Sequence, residues 1–126
     1  MAAHWPHQPA DDPIAAHLNA TPKYVVTRTL RSPEWAPSEV LAGDPVESVT
    51  ELKRQGDGAI TVLGSGELAQ TLISNGLIDD YNVFIHPLVL GTGKRLFRST
   101  PRPLPLRLVG CTQTTTGVLL LRYEPG

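Results

Sequence analysis

The stretch AITVLGSGELAQTLISNG, residues 59–76, is the part of the chain that decides the fold. Ala59–Leu63 is apolar and contains β-branched residues, which predicts a strand. A glycine turn, Gly64-Ser65-Gly66, follows it directly. The apolar spacing beyond the turn predicts a helix that ends at Asn75-Gly76, with Leu77 folding back onto it in a Schellman contact. A strand, a tight turn and a helix in this order indicate an α/β unit.

Two more helices are predicted ahead of this unit. Asp12 is a suitable N-cap for the first, because Pro13 fits the first helical position, where a missing N–H costs nothing. The second begins at the capping-box spacing Asp44-Pro45-Val46-Glu47. Gly56 is expected to end this second helix in the left-handed conformation.

Several segments have the composition of strands. Lys23–Leu30 is compact and β-branched, and Tyr81–Leu90 is nearly continuous in apolar and aromatic residues, which predicts a long, deeply buried strand. Leu106–Thr112 and Val118–Tyr123 flank a threonine-rich turn and predict a hairpin. The order of elements predicts an α/β fold with a mixed sheet flanked by helices, in a single domain over residues 1–126.

The composition excludes several classes of protein. The chain is 40% hydrophobic and 18% charged, as in globular domains, and its net charge of −1 gives no general attraction to nucleic acid or anionic membranes. Cys111 is the only cysteine, so no intrachain disulfide can form. No apolar run reaches the roughly 18 residues of a membrane span, and the N-terminus lacks a signal core. We therefore expect a cytoplasmic protein that binds neither nucleic acid nor membranes.

The histidines give no support for a metal site. His4, His7 and His17 match no familiar ligand spacing, and no cysteine joins them, so no metal is predicted. His86 lies alone in an apolar segment before Pro87. It is either a structural histidine in the core or at a sheet edge, or a functional residue. No spacing assigns a catalytic residue, and the catalytic group is left unknown.

The turn Gly64-Ser65-Gly66 is the sharpest candidate for binding a phosphate. The first amides of a helix have no internal partner and carry partial positive charge, and glycine lets an anion approach the backbone. An ordinary tight turn explains the glycines equally well.

The glycine pattern of residues 64–66 is not a Rossmann fingerprint, because Asp79 and Asp80 begin the next strand, whereas the fingerprint requires an acidic residue at the end of that strand. Gly91-Thr-Gly-Lys94 is not a Walker loop, because Leu88 occupies the leading glycine position.

Thr27-Arg28-Thr29, at the end of the first predicted strand, forms a second candidate. Two hydroxyls and a guanidinium suit a phosphate, because arginine can donate two parallel hydrogen bonds to it. A solvated strand end is the alternative explanation.

Three segments, taken in order, resemble one protein family. They are Lys23-Tyr-Val-Val-Thr-Arg-Thr-Leu30, Val62-Leu-Gly-Ser-Gly-Glu-Leu68 and Ile85-His-Pro-Leu-Val-Leu-Gly-Thr-Gly-Lys-Arg-Leu-Phe97. From about Trp5 to Tyr123 the chain resembles the dihydrofolate-reductase family related to the C-terminal reductase domain of the bifunctional riboflavin-biosynthesis deaminase-reductase. The resemblance implies a NADPH-dependent reductase that transfers hydride to a small heterocyclic or ribosylaminopyrimidine-like substrate.

The resemblance also implies which residues bind the cofactor. The adenosine ribose and its 2′-phosphate would lie on Thr27, Arg28 and Thr29. The pyrophosphate would lie on Gly64, Ser65, Gly66, Glu67 and Leu68. The substrate side would be bordered by His86, Gly91 and Gly93. The family further implies a small-molecule substrate and a homodimer as partners.

The chain departs from this family at its beginning. Members start with a strand carrying a Ser-Leu-Asp-Gly-like stretch and a Gly-Arg-x-Thr-Tyr-like helix start, and neither is present. That strand is central in the family's sheet and supplies much of the substrate pocket. A late start codon, a fragment and a pocket completed by a partner chain all explain the departure. Two other functions stay open: a non-catalytic remnant that binds a nucleotide or partner subunit, and a pterin or folate reductase.

Overall fold

A computed structural model describes residues 1–98 and 100–126 of the chain. Within these ranges it contains α1 (Pro13–Ala20), β1 (Lys23–Val26), β2 (Ser38–Leu41), α2 (Pro45–Gln55), α3 (Gly66–Ser74), β3 (Tyr81–Ile85), β4 (Leu106–Gln113) and β5 (Leu119–Pro125). The elements fall into two compact units, Met1–Asp57 and Gly58–Gly126. The α/β class is therefore the predicted one, and the assignment of one domain to the whole chain stays a prediction.

The helices of the first unit begin where the sequence predicts. The Asp12 carboxylate accepts hydrogen bonds from the amides of Ile14 and Ala15, at 2.8 and 3.0 Å, and so caps α1. Asp44 caps α2 in the same way, through the amides of Val46 and Glu47 at 2.9 and 3.0 Å. Each cap satisfies two of the helix's otherwise unpaired amides, which explains why these starts are readable from local sequence.

The end of α2 differs from the prediction. Gly56 has a φ of −132°, which is extended backbone, so the expected left-handed ending at this glycine is wrong. The chain leaves α2 directly in an extended conformation, which any residue can adopt.

The first predicted strand is shorter than expected. β1 pairs in parallel with β2 from Lys23 to Val26 and stops there, so the predicted extent to Leu30 is wrong. The cause is local: the Thr27 hydroxyl accepts hydrogen bonds from the amides of Thr29 and Leu30, both at 3.2 Å. Such side-chain to backbone bonds turn the chain and compete with strand pairing.

The second unit contains α3 and a three-stranded antiparallel sheet in the order β3-β5-β4. The predicted Schellman ending of α3 is confirmed: the Leu77 amide donates to the Leu72 carbonyl at 3.0 Å, and the Gly76 amide donates to the Ile73 carbonyl at 3.1 Å. Gly76 has a φ of +66°, the left-handed conformation that this motif requires. The predicted hairpin is also confirmed as β4 and β5.

Two strand predictions in the second unit are wrong. Residues 59–63 form no strand, since no segment of the described chain pairs with them. β3 ends at Ile85 instead of Leu90, because Ile85 pairs with Leu119, the first residue of β5, and Pro87 has no N–H to donate. The residues beyond are exposed and not buried, with Val89 at 97% and Leu90 at 80% exposure.

The apolar side chains that are buried lie in each unit's helices. They are Ala15 and Val49 in the first unit and Leu72 and Ile73 in the second. The parallel strand pair forms a sheet in the first unit, and the antiparallel strands form a second sheet in the second unit. The predicted combination of parallel and antiparallel pairing is therefore present, but it is divided between two sheets. Among residues 1–98 and 100–126, none of the helices is both long and apolar enough to cross a membrane.

Candidate functional site

The glycine turn at the start of α3 is open and its amides are uncapped. Gly64 has a φ of +68°, and the side chain of Ser65, the N-cap residue, makes no capping hydrogen bond. The first intrahelical bond runs from the Ala69 amide to the Ser65 carbonyl at 2.8 Å. The amides of residues 66–68 therefore have no acceptor within the helix and point out of its positive end.

The two glycines of this turn are not crowded by neighbouring atoms. A Cβ atom built on either Gly64 or Gly66 would meet no heavy atom within 4 Å. The segment 64–68, which we name the α3 cradle, thus combines unpaired donors, partial positive charge and two uncrowded glycines. This donor set fits a phosphate or pyrophosphate. All five residues predicted to receive the pyrophosphate lie in it, four of them exposed and Leu68 half-buried.

An arginine distant in sequence lies beside the cradle. Arg98 forms a two-pronged ion pair with Glu67, with Nη1 at 2.9 Å from Oε2 and Nη2 bonded to Oε1. The hydrogen bond from Arg98, the charge of Arg98 and, to a smaller extent, the charge of Lys94 lower the pKa of the Glu67 carboxyl. Two cations therefore act electrostatically on the first turn of α3.

Gln70 fixes the chain around Arg98. Its side-chain amide donates to the Leu96 carbonyl, and its carbonyl oxygen accepts from the Arg98 amide at 3.1 Å. Glu67 and Gln70 lie three residues apart and share one face of α3. The segment 96–98 is thereby attached along the first turns of the helix, in a set of contacts that we name the α3 clasp.

A cavity of about 200 Å³ adjoins the clasp. Ile73, Tyr81 and Phe97 form part of its apolar wall, and the rings of Tyr81 and Phe97 are 6.5 Å apart at an angle of 52°. Burial raises the pKa of the Tyr81 hydroxyl. The remaining lining comes from Gln70, Arg98, Thr100, Leu104 and Leu106.

Thr27, Arg28 and Thr29 lie directly after β1, in the other compact unit. The Thr27 hydroxyl already accepts two backbone hydrogen bonds, while the side chains of Arg28 and Thr29 are exposed. The three residues are consecutive and lie in the same turn after β1. Their role beside an adenosine ribose stays a prediction.

The residues predicted on the substrate side lie after β3. His86 is exposed and stands beyond the last pair of β3, so a buried core position for it is wrong. Gly91 and Gly93 have φ values of +74° and +133°, which explains why both positions hold glycine. Proximity of these three residues to a substrate stays a prediction. In the described part of the chain, no three histidine, cysteine, aspartate or glutamate side chains come together as a metal site would require.

Sequence reasoning missed Lys94, Gln70 and Arg98. The available signal was the basic run Lys94-Arg95-Leu-Phe-Arg98, which follows the glycine loop and could have supplied an anion site with charge. The sequence could not identify Glu67 as the ion-pair partner of Arg98, because the two residues are 31 positions apart.

Comparison with known proteins identifies the family. A sequence model of the RibD C-terminal domain matches residues 1–120. The chain belongs to the RibD C-terminal domain family. RibD C-terminal domains are in general reductase domains. The resemblance inferred from the three sequence segments is thereby confirmed.

The chain is similar in sequence to one protein and in structure to another. The uncharacterised protein YyaP of Bacillus subtilis (strain 168) is 32% identical over 108 residues, which is 85% of this chain and 56% of YyaP. A crystal structure of a protein from Shewanella sp. PV-4, provisionally named a riboflavin biosynthesis protein, matches with a TM-score of 0.75 and 18% identity. That match covers 85% of this chain and 62% of the Shewanella chain. The structural likeness supports the dihydrofolate-reductase-like fold, and the chain spans between half and two thirds of both relatives.

Proposed function

We propose that this RibD C-terminal domain protein is a NADPH-dependent reductase. Its substrate would be a small heterocyclic or ribosylaminopyrimidine-like molecule. The observation that carries the proposal is the open α3 cradle, whose uncapped amides suit a pyrophosphate, in a chain of a family of reductase domains. Hydride donation is the chemistry that NADPH supplies when bound, and the residues of the chain bind and orient the two reactants.

The cofactor would be held at two places. The backbone amides of Gly64–Leu68 would donate to the pyrophosphate. Thr27, Arg28 and Thr29 would contact the adenosine ribose and its 2′-phosphate. The exposed guanidinium of Arg28 supports this assignment, because it is free to donate two parallel bonds to a phosphate.

The substrate would approach the side bordered by His86, Gly91 and Gly93. No residue of the chain is assigned as a proton donor or acceptor. We also propose that the protein forms a homodimer, which the exposed apolar residues that follow β3 support.

The proposal is tested by calorimetric titration with NADPH and NADH. We expect NADPH to bind more tightly, because only NADPH carries the 2′-phosphate. Arg28→Gln should weaken NADPH binding by about tenfold to a hundredfold, the usual cost of losing a charged hydrogen-bond pair, and should leave NADH binding unchanged.

Arg31→Gln is the matched control, because Arg31 is also an exposed arginine and lies three residues away. It should change neither affinity. Equal affinities for the two nucleotides in the parent protein, or an equal loss in both variants, would refute the role of Arg28. Selective binding without oxidation of NADPH in the presence of pyrimidine or pterin substrates would favour a non-catalytic nucleotide-binding protein instead.

A further inference from the structure

The α3 cradle contains a carboxylate in its first turn. Glu67 follows Gly66 directly, so its side chain belongs to the same turn as the unpaired amides. A carboxylate there interacts favourably with the helix dipole. It also repels any anion that approaches the same amides, because two like charges several ångströms apart are only partly screened by water.

The α3 clasp counteracts this repulsion. Both carboxylate oxygens of Glu67 accept hydrogen bonds from the Arg98 guanidinium. The backbone amide of Arg98 is itself bonded to Gln70, one turn further along the helix. The Arg98 side chain therefore extends from beside Gln70 towards the helix start, where it meets Glu67.

We propose that Arg98 is a positioning residue for anion binding: it neutralises Glu67 and holds its carboxylate against the 96–98 segment, so that the cradle amides can bind a pyrophosphate group. This inference rests on the proposed function only in taking the α3 cradle as the phosphate site. It identifies Arg98 as acting through Glu67 and not through a contact with the phosphate.

The exposure of the pair separates this role from a purely structural one. The side chains of Arg98 and Glu67 are 45% and 79% exposed. Exposed ion pairs contribute little to folding, because water screens the charges and both side chains lose freedom. The effect of losing Arg98 should therefore appear in anion binding more than in stability.

The experiment is a double-mutant cycle on the full chain with inorganic pyrophosphate, NADPH and NADH as titrants at low ionic strength. Arg98→Gln leaves Glu67 charged and should weaken binding of all three by about three- to tenfold, as expected for one unit charge near an exposed anion site. Glu67→Gln together with Arg98→Gln should restore the affinity close to that of the parent protein. The loss in Arg98→Gln should diminish with added salt.

Arg102→Gln is the control, because it removes an arginine from the same exposed segment, and the side chain of Arg102 makes none of the clasp contacts. Thermal unfolding of every variant monitors the fold. Unchanged pyrophosphate binding in Arg98→Gln would overturn the proposal. So would a double variant that binds as weakly as Arg98→Gln, since Arg98 would then contact the anion itself or act through the fold.

The two proposals fail in different ways. If the parent protein binds pyrophosphate with the expected pattern across the cycle but does not prefer NADPH to NADH, the role of Arg98 stands and the proposed cofactor falls. If NADPH is preferred and Arg98→Gln binds normally, only the role of Arg98 falls. If the parent protein binds none of the three titrants, the cradle is not an anion site and both proposals fall.

Discussion

Gly56 and Gly76 each follow a helix, and their backbone angles give them different roles. Gly76 has a φ of +66° and completes the ending of α3, whereas Gly56 has a φ of −132°. A side chain is strained only in the left-handed conformation, so Gly76→Ala should lower the free energy of unfolding by about 1 kcal/mol. Gly56→Ala should leave it unchanged or raise it slightly, because alanine restricts the unfolded chain.

Urea unfolding of the two variants and the parent protein measures this difference. Neither added Cβ would meet a heavy atom within 4 Å, so a clash cannot account for a loss of stability in either variant. Equal stability losses would show that the two helix ends do not differ in the way their φ angles indicate.

At the scale of elements, α3 contains part of the cradle and also both apolar residues that are buried in the described part of the second unit. Leu72 is 2% exposed and Ile73 is 7% exposed. Leu72→Ala should therefore lower the free energy of unfolding by about 2–5 kcal/mol, the usual cost of removing a buried leucine side chain. Leu90→Ala is the matched control at protein concentrations where the chain is monomeric, because Leu90 is 80% exposed, and it should stay within about 0.5 kcal/mol of the parent protein.

Chemical denaturation followed by circular dichroism gives both values. A loss at Leu90 comparable to that at Leu72 would contradict the exposure of the segment after β3. A negligible loss at Leu72 would show that α3 does not anchor its unit.

Elements with local signals were predictable, and elements that need a distant partner were not. The caps Asp12 and Asp44 and the Schellman ending of α3 depend on residues within a few positions of each other, so the sequence predicts them correctly. Residues 59–63 have the composition of a strand but no partner in the described chain. Residues 86–90 extend beyond Leu119, the residue at which β5 begins. Strand formation depends on such pairing, which composition does not contain.

The same distinction applies to the candidate site. The cradle follows from a local glycine pattern, and the structure gives it the uncapped amides that the pattern implies. The α3 clasp joins Glu67 to Arg98 across 31 residues, and no periodicity in the sequence connects them.

At the scale of the whole molecule, an exposed apolar stretch is the feature with the clearest consequence. Phe84, Leu88, Val89 and Leu90 are 60%, 59%, 97% and 80% exposed. They lie on or directly after β3, which is an edge strand of its sheet. Exposed apolar residues at an open strand edge favour association with another chain, because pairing buries them and satisfies the free backbone groups.

We therefore expect the protein to associate with itself as its concentration rises. Sedimentation velocity should give a mass that rises from 13.6 kDa towards twice that value. The double variant Val89→Lys with Leu90→Lys should weaken this association, because two charges would have to be desolvated in the contact. Thr92→Lys is the control, since Thr92 is exposed nearby but adds no apolar surface, and it should associate like the parent protein. A parent protein that stays at 13.6 kDa throughout, or a double variant that associates equally well, would show that this stretch is not a contact between copies and would remove the support for a homodimer.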